Sequence, residues 1–190
     1  MMKSFLPPSG GYRNLKAYKY AEIIHDLTVI FVDKFIERGS RTRDQMVQAA
    51  RSGKQNIAEG SMASMTSKET EIKLTNVAKA SLEELKIDYE DFIRQHNLPL
   101  WGNNHQRTAK LKHYIENNDF INQPTKYIAQ MNGEEFANMC ITLIYKTTYM
   151  LARLLVKQQE QFLATGGIKE QMYRARIQYR SSSHATVQDN

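Results

Sequence analysis

The chain has 190 residues, 26 Lys and Arg against 20 Asp and Glu, a net charge of +6 and a pI near 9.3. That length suits one domain with an appendage, and 41% hydrophobic residues suffice to fill its core. The single cysteine, Cys140, excludes an internal disulfide, and its apolar neighbours Met139, Ile141, Leu143 and Ile144 mark it as a small core residue in a reducing, cytoplasmic protein.

With 4 Pro and 9 Gly, long uninterrupted helices are expected. Met1 to Gly11 is short, contains proline and lacks the apolar run of a signal peptide. The longest apolar stretches, Leu27–Val32 and Leu154–Val156, are far shorter than a membrane span, so no membrane partner is expected. After a basic N-terminal segment (1–14), a first helix is expected from Leu15 to Arg38, because Ile24, Leu27, Phe31 and Phe35 recur on one helical face. Gly39-Ser40 stops it. Thr42, with Gln45 three residues on, reads as a capping box for a second helix from Arg43 to Met62. That helix has a thin stripe of Met46, Ala50, Gly53, Ile57 and Gly60. Two helix-interior glycines, each costing about 1 kcal/mol against alanine, predict the close approach of large residues from the first and third helices.

Ser67 reads as the cap of a third helix running to Gln95, striped by Leu74, Ala78, Leu82, Leu85, Tyr89 and Phe92. Asn97 to Gly102 breaks it. Residues 96–133 read as an elaborated connection, rich in Asn over 103–133, with one short helix around Ala109–Ile115. The last long helix, Glu134 to Ala164, repeats Phe136, Leu143, Met150 and Cys140, Thr147, Leu154 every seven residues, an a/d seam. Gly166-Gly167 closes it. A basic helical tail (166–190) follows, with Ile168, Met172, Ala175 and Tyr179 on one face, ending in a frayed polar segment from Ser181. The fold class expected is all-α: an antiparallel up-down four-helix bundle over 15–165, with a helical insertion before its last helix.

No catalytic or metal pattern stands out. His96, His105 and His113 lie at spacings no common zinc site uses, and Glu83-Glu84-Asp88 lacks the Glu-x-x-His pairs of a di-iron bundle. No cofactor, metal or catalytic residue is therefore expected, and the chain reads as a non-enzyme. Charge is segregated instead. Arg13, Lys16 and Lys19 open the chain without an acid; Arg38, Arg41, Arg43, Arg51 and Lys54 face Asp44 alone; Glu69, Glu71, Glu83, Glu84, Asp88, Glu90 and Asp91 crowd the third helix. Tyr12, Tyr18 and Tyr20 sit among N-terminal lysines, and Tyr173 and Tyr179 among Arg174, Arg176 and Arg180. Aromatics interleaved with cations suit single-stranded nucleic acid. The plainer alternative is that these tyrosines anchor the terminal segments.

Asn56-Ile57-Ala58-Glu59-Gly60, then Ser81-Leu82-Glu83-Glu84-Leu85, with Gln45, Ala50 and Gly53 upstream, form a signature over residues 45–85. The chain resembles, over residues 18 to 160, the family of 23S rRNA intervening-sequence proteins and the accessory variability determinant proteins of diversity-generating retroelements. The resemblance implies a bacterial four-helix bundle, a homo-oligomeric (pentameric) ring, binding of RNA or DNA, and a reverse transcriptase as partner. Asn56, Ile57, Ala58, Glu59, Gly60, Ser81, Leu82, Glu83 and Leu85 match its structural signature, with Asn56 and Glu59 expected to bond across the bundle and fix helix register. The chain departs from the shortest members in its 96–133 connection and in the segment after Gly167. The function expected is a nucleic-acid-binding accessory protein. The alternative is a scaffold whose complementary charged faces drive assembly without nucleic acid.

Overall fold

The computed structural model describes residues 11–188 except Asn103 and Tyr127, with side chains to Ser181. The expected basic segment before Gly11, including Lys3, lies outside them. The described residues are all-helical, with no strand: α1 (Lys16–Phe35), α2 (Arg41–Ala63), α3 (Lys68–Gln95), α4 (Gln106–Glu116), α5 (Asn118–Asn122), α6 (Gly133–Thr165) and α7 (Ile168–Gln188), plus two short 3-10 turns. The long helices touch in a closed order, α1 to α2 to α3 to α6 and back to α1.

The apolar stripes explain this order. Ile24, Leu27 and Phe31 of α1, Ala78, Leu82, Leu85 and Tyr89 of α3, and Phe136, Cys140, Leu143 and Thr147 of α6 are fully buried together. Phe31 sits at the centre, with its ring 4.8 Å from that of Tyr89, 4.9 Å from Phe92 and 5.5 Å from Phe136, each edge to face. The seam of α6 weakens on either side of Leu151, where Met150 and Leu154 are only half-buried. By length and composition alone the helix that begins with α6 is long and apolar enough to cross a membrane, a test that a core helix also passes. Of its apolar window, 44% is buried inside the fold.

The α2–α3 contact is set by the glycines. A methyl group on Gly53 would stand 2.7 Å from Leu82 Cδ2, and one on Gly60 would stand 3.3 Å from Leu74 Cβ and Glu71 O. The three nearest atoms at each glycine all belong to α3, one of the two helices expected to approach. Across the same seam Ser52 Oγ and Ser81 Oγ share a 2.9 Å hydrogen bond.

Helix ends bring three corrections. Ser40, not Thr42, caps α2: its hydroxyl accepts from the Thr42 N–H, because Gly39 (φ +88°) turns the chain and leaves Ser40 extended. The 96–133 connection holds α4, α5 and a 3-10 turn where one short helix was expected. Ile115, Phe120 and Ile128 from it are buried in the common core, so it lies along the α1 and α6 side. The segment from Ser181 is helical to Gln188, continuing α7. Ser67 caps α3 as expected, and an Asn132–Glu135 capping box opens α6.

Candidate nucleic-acid interface

The side of the molecule built by the connection and α6 carries two adjoining clefts. The first, about 620 Å³, lies between α4 and α6; Trp101, Thr108, Lys112, Ile141, Tyr145 and Tyr149 line it. The second, about 610 Å³, is bounded by Lys16, Lys19 and Ile23 of α1, Asn118 and Asn122 of α5, and Met150 of α6. Glu116, Lys146 and Tyr149 border both, so the two form one groove along α6.

The heptad of α6 dictates what enters this groove. Leu143, Ile144, Thr147, Thr148 and Leu151 turn inward, so Tyr145 and Tyr149, one helical turn apart, face out and are 54% and 63% exposed. Lys86 of α3 holds its amine 4.8 Å from the centre of the Tyr145 ring, while ion-paired to Glu83 at 2.7 Å. Lys146 pairs with Glu116 and stands 5.6 Å from the Tyr20 ring; its charge and hydrogen bond hold the Glu116 carboxyl below the usual range. Glu116 is the acid in a lining that also holds Lys16, Lys19, Lys112 and Lys146.

Trp101 forms the upper wall on a rigid mount. Its indole N–H donates to Glu134 Oε1 at 2.8 Å, and its backbone N–H donates to Asn138 Oδ1 at 2.7 Å. His105 stacks on the ring at 4.9 Å and 11°, and Arg107 lies over it while paired to Glu135 at 2.9 Å. Buried Asn138 donates to Pro99 O and Glu134 O, tying the connection to the start of α6.

The sequence-predicted basic residues do not form one face. Lys16 and Lys19 reach the groove and Arg13 flanks it, its guanidinium 5.8 Å from the Tyr12 ring. Arg38 and Arg41 are exposed at the α1–α2 corner, a full α1 length of roughly 30 Å away. Arg51 is exposed and Lys54 half-buried on α2; Arg174, Arg176 and Arg180 are exposed on α7. Arg43 is engaged in structure: Nη1 donates to Val32 O at 2.6 Å and Ile36 O at 2.9 Å, and Nη2 pairs with Asp33 at 3.3 Å, capping the end of α1.

The signature residues sit on the α2–α3 seam, but differently from expectation. Ile57, Ala58, Gly60, Leu82 and Leu85 are buried. Asn56 donates within its own helix, to Ser52 O at 2.9 Å and Ser52 Oγ at 3.1 Å, and Glu59 is exposed. The bond across the seam is Ser52–Ser81, with Asn56 donating to the same Ser52 hydroxyl from its own helix, while Glu59 faces solvent. Tyr18 packs on Tyr12 of the N-terminal segment at 4.8 Å, whereas Tyr20 donates to Ile115 O of the connection at 3.1 Å.

Tyr145, Tyr149, Trp101, Lys112 and Lys146 escaped the sequence reading. The available signal was two tyrosines four residues apart, both off the a/d seam of a core helix. Cys140 is fully buried, and burial pushes its thiol up to about 12, far from a nucleophile's range. His96 lies against Phe92 with the rings tilted and 4.2 Å apart, and His105 caps α4. Among the described residues, no three of His, Cys, Asp and Glu gather closely enough to hold a metal. Comparison with protein-family models, with curated proteins and with solved structures gives no match.

Proposed function

We propose that this chain is a non-enzymatic, nucleic-acid-binding accessory protein. In this reading α1, α2, α3 and α6 form an antiparallel up-down four-helix bundle that assembles as a homo-oligomeric, pentameric ring. A single strand of RNA or DNA lies in the groove along α6. Its bases stack on Tyr145 and Tyr149, and its phosphates pair with Lys16, Lys19, Lys112 and Lys146. The observation that carries the reading is the pair of exposed tyrosines one turn apart in a lysine-lined groove. Stacking on aromatics is tolerant of sequence, and cations track the backbone, as an accessory to an RNA-handling complex requires.

The resemblance of Asn56–Gly60 and Ser81–Leu85 to the intervening-sequence and retroelement accessory proteins supports the bundle, the ring and a reverse transcriptase as partner. Burial of Ile57, Gly60, Leu82 and Leu85 on one seam is consistent with that signature being structural.

Four phosphate contacts predict a slope of about −3 for log affinity against log salt, at about −0.7 per phosphate for single strands. Anisotropy of a labelled mixed-sequence oligonucleotide across a salt series measures it. A flat slope, or undiminished binding by a Tyr145→Ala/Tyr149→Ala chain, refutes the reading.

A further inference from the structure

α7 leaves α6 at a corner held by hydrogen bonds. The Gly167 N–H donates to Glu170 Oε2 at 2.9 Å, the Gln171 side-chain amide donates to Gly166 O at 3.1 Å, and Arg174 Nη1 reaches Thr165 O at 3.4 Å. Beyond the corner most of the described side chains, to Ser181, are exposed. Met172, Tyr173 and Ile177 are all exposed, Tyr173 by 65%. At 3.6 residues per turn, Lys169, Met172, Tyr173, Arg176, Ile177 and Arg180 share one arc of about 140°. The expected stripe of Ile168, Met172, Ala175 and Tyr179 does not pack on the body either: Met172 and Tyr179 are exposed, and Ile168 and Ala175 half-buried. A face that mixes apolar and cationic side chains is built for a surface that mixes apolar and acidic ones.

The outer side of α3 is such a surface. Val77, Ala80 and Ile87 lie on one arc of about 100° with Glu84, Asp88 and Asp91. Val77 is 38% and Ile87 55% exposed. Lys73 lies on the same arc, and Arg94 holds Asp91 at 2.8 Å. Burial first, and then the charges of Glu84 and Asp91, push the Asp88 carboxyl up to about 6, and an arriving cation would offset the like-charge part.

We propose that α7 of one molecule docks on the outer face of α3 of a second copy of this chain. Met172, Tyr173 and Ile177 cover Val77, Ala80 and Ile87, while Lys169, Arg176 and Arg180 meet Glu84, Asp88 and Asp91. The α7 corner already lies beside the start of its own α3, where Glu69 Oε1 stands 2.6 Å from the place a Gly167 side chain would occupy. Lying along that α3 would require the chain to double back within two residues and break the corner bonds, so the arm reaches a neighbour. An arm given to one neighbour and received from another is a head-to-tail contact, which closes into a ring when the rotation allows. The inference rests on the self-assembly in the reading above and is independent of nucleic acid.

Light scattering coupled to gel filtration of the full chain tests it. The unmodified protein is expected at a multiple of 22.0 kDa. Lys169→Glu/Arg176→Glu/Arg180→Glu and Glu84→Lys/Asp91→Lys chains are each expected at 22.0 kDa with unchanged helical content. The chain carrying all five changes regains the assembled mass. A single-chain mass for the unmodified protein, an arm variant that keeps its mass, or no recovery in the combined chain overturns the proposal. An arm variant that keeps its mass but loses an oligonucleotide overturns it too, and assigns α7 to nucleic acid. Should a charge variant unfold, an Ile87→Cys/Ile177→Cys chain under mild oxidation gives a second reading. Bands of linked chains on a non-reducing gel support the docking, and a monomer band alone refutes it; buried Cys140 does not contribute. A Tyr145→Ala/Tyr149→Ala chain keeps its assembled mass whatever its binding, which separates failure of this inference from failure of the groove.

Discussion

The α2–α3 seam and the groove along α6 are built from opposite materials. The seam uses residues that withdraw: Gly53, Gly60, Ser52 and Ser81 let two helices close until Leu82 fills the space over Gly53. The groove uses residues that protrude, with Tyr145, Tyr149 and Trp101 standing on α6 and the connection, and lysines between them. A residue on the seam has one tolerated size, because interiors are close-packed. In the groove Tyr145 and Tyr149 are mostly exposed, so their rings can be replaced without opening the core. Stability and binding should therefore separate cleanly by substitution.

The sharpest way to break the contrast is Gly53→Val. Its branched side chain meets fully buried Leu82, and overpacking of this kind costs about 3 kcal/mol. Urea denaturation should show that loss, whereas Gly60→Ala, with 3.3 Å of clearance, should fall near zero as gained helix propensity offsets the contact. Equal losses at both glycines would mean the seam is not set by Leu82. On the groove side, Tyr149→Ala should weaken oligonucleotide binding by about 2 kcal/mol, roughly thirtyfold, with an unchanged unfolding midpoint. Arg43→Ala sharpens the division from a third direction. It leaves Val32 O and Ile36 O without their charged donor, so stability should drop by about 1.5 kcal/mol while oligonucleotide affinity holds. A matching loss of affinity would return Arg43 to the binding surface.

A smaller effect than that of Arg43 concerns Asp88, whose folded pKa of about 6 exceeds the ordinary 3.8. Between those values the folded state binds more protons than the unfolded one, so stability falls as pH rises from about 4 to 6. Asp88→Asn should remove that slope and stabilise the isolated protein at pH 7 by about 1 kcal/mol, after discount for solvent screening. Denaturant midpoints at pH 4, 5, 6 and 7 measure it, and an unaltered pH profile in the variant would exclude Asp88 as its source.

The long helices were readable because each buries one side, and a buried side forces a period: Ile24, Leu27 and Phe31 could not be placed otherwise. The start of α2 was misread because Thr42 and Gln45 satisfy a capping box by spacing alone, while the extended conformation after Gly39 gives the role to Ser40. The connection was hardest. Each of its pieces spans at most three turns, and Ile115, Phe120 and Ile128 reach the core singly, so no period exists to be read. The groove was half legible. Lys16 and Lys19 stood out by charge, but Tyr145 and Tyr149 were hidden in a helix whose other residues are core.

Gln158 closes the apolar seam of α6 on the α3 side. Its amide nitrogen donates to Glu71 Oε1 and Thr75 Oγ1, both at 3.1 Å, while its buried carbonyl oxygen accepts nothing among the described residues. A buried acceptor left unmatched loses its hydration without return, so this turn gains more than its neighbours by opening to solvent. Amide hydrogens from Leu154 to Thr165 should therefore exchange through a local opening well before those around Cys140. The protein should come apart from the α7 end, shedding its arm while the aromatic cluster around Phe31 still holds.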